Sequence, residues 1–322
     1  MALALPLGWM LQSIAYGGYS SVAERRSVAA DVVGSKPTSR PNFPPSIETL
    51  SPLPRATKYT PIAATELAPS PPHLHVGTSG WAYPTWKPGF YPAVVPTRAF
   101  LYEYAARLTS VEVNYTFRTL PTEMQLQEWI DATPPGFFFS FKAPQRITHF
   151  QRLRSSEAAV AEFLASLATV RAANKLGPLL FQLPPNFVAN PERLAAFLAM
   201  PELADPALQL AFEFRHASCF CDSIYDILRR HNAALCIAES DDLATPEVAT
   251  ATFRCYRLRR NGGYSPEELT AFAERFTKLA KKQEVFVYFK HEDEPTGALN
   301  AETMLKEAVS LGAKTKPRRS RA

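Results

Sequence analysis

Six charged side chains and two amides stand near the C-terminal ends of apolar, strand-like runs, each beside a large apolar residue that points the other way. In VEVNY (111–115), Val111 and Val113 form one face and Glu112 and Asn114 the other. In FSFK (139–142), Lys142 shares its face with Ser140, and in PLLFQL (178–183) the same parity isolates Gln182. AFEFR (211–215) sends Phe212 and Phe214 one way and Glu213 and Arg215 the other; FRCYRLR (253–259) presents Arg257 and Arg259; VFVYFKH (285–291) presents Tyr288 and Lys290. Side chains alternate across a strand with period two, so these polar residues are expected to face one common interior. Because an unpaired charge inside a protein costs several kcal/mol, on the order of the effective desolvation penalty, Glu112, Lys142, Glu213, Arg215, Arg257 and Lys290 at one end of one fold are read as a site.

Cations outnumber acids in that set four to two, which suggests that the bound ligand carries phosphate or carboxylate. Glu112 and Glu213 lie on different strands and can flank a substrate as acid and base, or ligate a divalent metal; their separation, which would distinguish glycosidase-like geometries, is not written in the sequence. Three histidines follow strands. His216 comes directly after Arg215 and is placed with Glu112, Glu213 and Lys142 among the catalytic candidates; His291 follows Lys290, and His149 lies farther out, in RITHF. The run His291, Glu292, Asp293, Glu294 matches no standard metal-loop spacing and is read as a solvated acidic loop. Trp81, in the aromatic loop SGWAYPTWKPGFYP, is a candidate ligand-binding residue with Asn114, Gln182, Arg215, Arg257 and Lys290; the other aromatics of that loop could form a stacking platform or a packed lid.

The elements that must hold these residues can be counted. Strand candidates are 74–78, 110–117, 137–143, 178–183, 209–215, 234–240, 253–259 and 285–291. Helix starts are marked by Thr122 with Gln125, by Asn190 before Pro191, by Ser265-Pro266 with Glu268, and by Asn300; residues 155–172 carry Val160, Phe163, Leu164 and Leu167 on one helical face. Eight strands alternating strictly with helices over about 240 residues predict a (β/α)8 TIM-type barrel, a fold whose active sites lie at the C-terminal strand ends. An open doubly wound sheet is the alternative. The first turn, GTSGWAY, has no GxGxxG pattern, and no Walker A sequence occurs, so no nucleotide cofactor is indicated.

The 322 residues carry 35 Lys and Arg against 30 Asp and Glu, yet the excess sits at the ends. Residues 314–322 hold five cations and no acid, and residues 1–72 hold six cations and four acids, which leaves 24 cations and 26 acids in residues 73–313. The expected organisation is a Pro-rich flexible extension over 1–72, with eleven of the 29 prolines, a barrel over 73–313 and a basic tail over 314–322. Any nucleic-acid binding is expected to be weak and carried by the tail. The four cysteines, at 219, 221, 236 and 255, fit a reduced cytoplasmic protein with inert thiols rather than a disulfide framework or a zinc site. No apolar stretch is long enough to span a membrane, and MALALPLGWMLQSIAYGG lacks the basic start of a signal peptide.

GTSGWAY (77–83), the W-x-x-x-F-Y-P run ending at Pro92, VEVNYTF (111–117), FFFSFKAP (137–144), FQLPP (181–185), FEFRH (212–216) and G-A-x-N-A (297–301) resemble, in order, the family of domain of unknown function 72, or YecE-like proteins. The resemblance extends over about residues 74–311. It implies a TIM-type barrel, and it implies that Glu112, Asn114, Lys142, Gln182, Glu213 and Arg215 belong to the barrel-mouth pattern, together with Gly80 and Trp81. Departures fall at Cys219, where a Trp is common, at Arg259, where R-L-H is usual, and at Lys290-His291, where many members have two asparagines. The family's activity is not established. The expected function is a hydrolase- or lyase-type enzyme acting on a small phosphorylated or carboxylated ligand, with a non-catalytic anion-binding barrel or a phosphodiesterase-like enzyme of nucleic acids as alternatives.

Overall fold

The computed structural model describes residues 66–239, 243–290 and 293–314. The basic segment after Lys314, His291 and most of the proline-rich extension lie outside them. Eight strands are present: β1 (Leu74–Thr78), β2 (Ser110–Val113), β3 (Phe138–Lys142), β4 (Leu176–Gln182), β5 (Leu210–Glu213), β6 (Ala234–Glu239), β7 (Phe253–Leu258) and β8 (Glu284–Phe289). All the ladders between them are parallel, in the order β1-β8-β7-β6-β5-β4-β3-β2. At the remaining seam, Thr109 closes β1 onto β2: its N–H donates to the Val76 carbonyl at 3.1 Å and its hydroxyl accepts from the Val76 N–H at 2.9 Å. The result is a nearly closed (β/α)8 TIM-type barrel. Gly77 permits that seam, because a Cβ there would stand 1.9 Å from the Ser110 carbonyl oxygen.

The helices are α1 (Phe100–Ala105), α2 (Glu123–Asp131), α3 (Glu157–Ser166), α4 (Ala168–Ala172), α5 (Pro191–Leu198), α6 (Asp222–Arg230), α7 (Pro266–Ala280) and α8 (Thr296–Lys314). Thr122 with Gln125 and Ser265 with Glu268 form reciprocal capping boxes, and Asn190 caps α5 ahead of Pro191. The expected long helix over 155–172 is two, broken at Leu167, although Val160, Phe163 and Leu167 are buried as their spacing requires. Asn300 does not open the last helix, which begins at Thr296; its amide oxygen instead accepts from the Tyr264 N–H at 3.1 Å.

Strict alternation also fails between β6 and β7. Among the described residues no helix joins them; 243–252, with Pro246 and three threonines, offers no apolar helical stripe. Thr250 ties this segment to the strand, accepting from the Leu235 N–H at 2.7 Å and donating to the Ala233 carbonyl at 2.8 Å. The barrel's packing also starts earlier than His73, since Ala68 is buried and the Ser70 hydroxyl donates to the Leu74 carbonyl.

Two apolar layers fix the strands. Val76, Val111, Val113, Phe139, Phe141, Phe181, Phe212, Phe214, Val285 and Val287 face the helices and are fully buried, each worth about 1.5–3 kcal/mol relative to exposure. The lower lumen is filled by Phe138, Leu180, Ala211, Cys236, Phe253, Cys255 and Phe286, with the His75 ring stacked on Phe286 at 4.6 Å. This plug leaves the polar positions of the same inward rows at the C-terminal end.

Candidate functional site

Several strands bring inward polar residues to the mouth, and Arg257 of β7 joins two of them. Its guanidinium is 2 % exposed; Nη2 donates to Glu112 Oε1 at 2.7 Å and Nη1 donates to Glu213 Oε2. Glu213, beside Gln182 in the β4–β5 register, accepts at its other oxygen from Arg215 Nε. Glu112 Oε1 accepts in addition from the Ser79 hydroxyl at 3.0 Å, whereas Oε2 is buried and has no hydrogen-bond partner. A level below, the hydroxyls of Ser110 and Tyr288 lie 2.8 Å apart.

The electrostatics separate the two acids. Burial alone would raise the Glu213 carboxyl, but Arg257, Arg215 and Arg259 outweigh it and hold it at about 2. Glu213 is therefore an ionised clamp for two arginines near neutral pH and cannot serve there as a proton donor. Glu112, with one oxygen unengaged, can accept a further hydrogen bond. Lys142 is pushed down to about 8, first by burial and then by the Arg257 charge; its Nζ sits 4.1 Å from the centre of the Phe117 ring. Arg259 is lowered to about 10, chiefly by Arg257 and then by burial. Among the described residues, neither the Lys142 amine nor the Arg259 guanidinium has a hydrogen bond or ion pair. Four cations, Lys142, Arg215, Arg257 and Arg259, face two carboxylates, so the cluster carries a formal surplus of positive charge.

Not every candidate joins this cluster. Lys290 donates instead to Asn261 Oδ1 in the loop after β7, and its amine is exposed there. His216 caps the short turn Ala217–Cys219, its Nδ1 accepting from the Ser218 N–H at 3.2 Å and lying 2.8 Å from the Ser218 hydroxyl. The weaker candidate His149 is nearer to the charges: its ring meets Phe117 edge-on at 4.9 Å, and burial, followed by the Lys142 charge, lowers its pKa. Gln182 is half-buried at the mouth, and His291 and Glu292 lie outside the described residues. Parity placed Arg259 inward, but it was not taken as a site residue. Ser79 was missed altogether, although it is the next inward position after His75 and Gly77 on the β1 row.

Trp81 and Asn114 mark a different place. Between the first loop, α1 and α2 lies a groove of about 760 Å³ lined by Trp81, Tyr83, Tyr102, Asn114, Tyr115 and Trp129, among others. The loop aromatics thus divide: Trp86, Phe90 and Tyr91 are buried in the main core with Phe100 and Tyr104, while Trp81 and Tyr83 wall the groove. The thiols are unpaired, and burial pushes Cys219 up to about 11. Among the described residues, no group of three or more His, Cys, Asp or Glu side chains is arranged to hold a metal.

Residues 75–321 match the family model described as protein of unknown function DUF72. The chain belongs to the DUF72 family. It is 29% identical to UPF0759 protein YunF of Bacillus subtilis over 157 residues, 48% of this chain and 54% of that one. It is also 29% identical to UPF0759 protein YecE of Escherichia coli K12 over 147 residues, 46% and 50% of the two chains. The chain therefore spans about half the length of the curated relatives it matches. A DUF72 crystal structure from Thermotoga maritima superposes with TM-score 0.62 and 25% identity, covering 72% of this chain and 98% of that one. A second, from Enterococcus faecalis, gives 0.61 at 22% identity over 73% and 95%, and supports the fold alone. Among the described residues of this DUF72 chain, no helix is long and apolar enough to cross a membrane.

Proposed function

We propose that the barrel mouth binds a small phosphorylated or carboxylated ligand and that the protein is a hydrolase- or lyase-type enzyme acting on it. One observation carries this reading: Lys142 and Arg259 both lie within reach of the charge of the already paired Arg257, and no described residue gives either side chain a hydrogen bond or an ion pair. A phosphate or carboxylate between them would supply the missing charge, and Arg215 would add a donor at the rim. Arg257 and Glu213 hold one another and the floor of the site. The unengaged oxygen of Glu112 is suited to accept a proton from a substrate hydroxyl or water, and Lys142, titrating near neutrality, to return one to a leaving group.

The test is calorimetric titration with inorganic phosphate and with acetate, followed by turnover assays on p-nitrophenyl phosphate, bis(p-nitrophenyl) phosphate and p-nitrophenyl acetate. Saturable phosphate or acetate binding that weakens at least ten-fold in both Lys142→Met and Arg259→Met supports the mouth site, since a charge-assisted contact contributes roughly 1.5–3 kcal/mol. Turnover lost in Glu112→Gln with binding retained supports catalysis. Absence of binding to either anion overturns the proposal. The clamping of Glu213 on both oxygens favours one competing reading, a barrel that binds the anion without reacting. Saturable binding with no turnover of any ester would move the conclusion to it.

A further inference from the structure

The groove beside the mouth has the composition of a binding site, and nothing in the anion-binding reading uses it. Its aromatic walls are Trp81 and Trp129, which meet edge to face at 5.0 Å, with Tyr83, Tyr102 and Tyr115 around them; Tyr115 is 48% exposed. Polar groups interrupt these walls: Thr97, Arg98, Asn114, Gln125, Glu128 and Asp131. Asn114 Oδ1 is buried and accepts no hydrogen bond. An unpaired buried acceptor is costly, and a ligand donor would relieve it.

Position links the groove to the mouth. Val113, which faces the helices, and Asn114, whose helical backbone ends β2 and opens the turn Tyr115–Phe117, both line it, so it lies at the end of β2. The turn that follows is a shared wall. Asn114 and Tyr115 face the groove, the Thr116 hydroxyl donates to the Lys142 carbonyl at 2.6 Å, and Phe117 lies beneath the Lys142 amine.

The lining offers both donors and acceptors, with Arg98 and Thr97 as well as the Glu128 and Asp131 carboxylates, and the aromatic rings offer single faces. Because Trp81 and Trp129 are nearly perpendicular, at 85°, they do not make a parallel slot for a flat base. A saturated ring suits these surfaces better: its C–H face packs on one indole while its hydroxyls donate to Asn114, Glu128 and Asp131. The volume of about 760 Å³ is ample for such a ring with its substituents. We propose that this groove is a carbohydrate site, seating the hydroxylated ring of the same ligand whose anionic group the mouth holds. The substrate class is then a sugar phosphate or sugar acid. This assignment rests on the anion-binding reading above.

Tryptophan fluorescence and calorimetry with glucose 6-phosphate, glucose, inorganic phosphate and phenyl phosphate test it, on the full chain and on Asn114→Ala and Trp129→Leu, with circular dichroism and melting curves to verify folding. Glucose 6-phosphate should bind at least ten-fold more tightly than phosphate, and each substitution should remove most of that gain, as expected for one hydrogen bond or one stacked ring at roughly ten-fold each, while leaving phosphate affinity within about two-fold. Glucose 6-phosphate binding no better than phosphate, or phenyl phosphate binding as tightly as the sugar, overturns the carbohydrate assignment and leaves the mouth standing. Glucose binding that Asn114→Ala abolishes, with no phosphate binding, overturns the mouth and retains the groove. If Trp129→Leu unfolds, Asn114→Ala decides alone.

Discussion

Replacing Lys142 by Met should stabilise the protein. Burial and the Arg257 charge take the amine from its ordinary 10.5 to about 8, and a gap of that size amounts to about 3 kcal/mol against the charged form in the fold. Met keeps the unbranched stem and its contact with Phe117 but gives up the cation–π attraction, about 1 kcal/mol, so a net gain of about 2 kcal/mol is expected at pH 7. The sign follows from proton counts. Below about pH 8 both states of the wild type are protonated and the penalty is fully present; between about 8 and 10.5 the unfolded chain binds the proton and the native one does not, so wild-type stability rises with pH. The variant's advantage should therefore be greatest at pH 7 and close by pH 10.5. Urea unfolding at pH 7, 9 and 10.5 reads this directly, provided the two proteins share one m value. Saturating anion should reverse the ranking at pH 7, because it stabilises only the chain that binds it. A variant no more stable than wild type at pH 7, or an advantage unchanged at pH 10.5, would refute the picture of an uncompensated cation at the mouth.

Glu213→Gln should destabilise the fold by about 3–5 kcal/mol at pH 7, because it strips a buried partner from Arg257 and from Arg215. With its carboxyl held at about 2, the wild-type advantage is present above the ordinary 4.5 and shrinks as pH falls toward 2, so the gap between the two proteins' urea midpoints should be smaller at pH 3 than at pH 7; equal midpoints at pH 7 would sink the clamp. Gly297→Ala should lower the melting temperature markedly, since its Cβ would fall 1.9 Å from the Lys290 carbonyl oxygen where α8 docks on the end of β8; an unchanged melt would show that the helix start can shift freely. Deleting residues 314–322 should abolish low-salt binding to duplex DNA, as measured by fluorescence anisotropy, while any anion binding at the mouth persists; tight duplex binding by the truncated chain would transfer the polyanion contact to the barrel.

What was legible in the sequence is what alternation writes directly. A strand buried on its outer face by helices must alternate in side-chain direction, so Val111, Phe141 and Phe212 announced where Glu112, Lys142 and Glu213 point. Parity does not say how far a long side chain travels. Lys290 occupies an inward row, yet its four-carbon stem carries the amine out to Asn261, and Arg259, one row beyond Arg257, takes a place in the cluster instead. Nor does parity reach past the strand. Phe117 sits in a turn whose direction depends on Thr116, and its place against the Lys142 amine becomes visible only in the fold. The helix after β6 was expected from the rhythm of the other seven units, but proline and threonines placed a hydrogen-bonded irregular segment there.

The two glutamates show why residue type and strand position together fall short of a role. Glu112 and Glu213 share burial and even their arginine, so neither property distinguishes them. The difference arises from what each second oxygen meets: Arg215, two residues past Glu213 and beyond the end of β5, closes Glu213, while the second oxygen of Glu112 finds no donor. A carboxylate saturated by two guanidiniums is ionised over the whole neutral range and moves no proton, whereas Glu112 keeps one oxygen open and acts on the Lys142 amine through its charge. If the mouth is catalytic, Glu112 and Lys142 are the pair that chemistry must use, and Glu213 contributes by holding Arg257 in place.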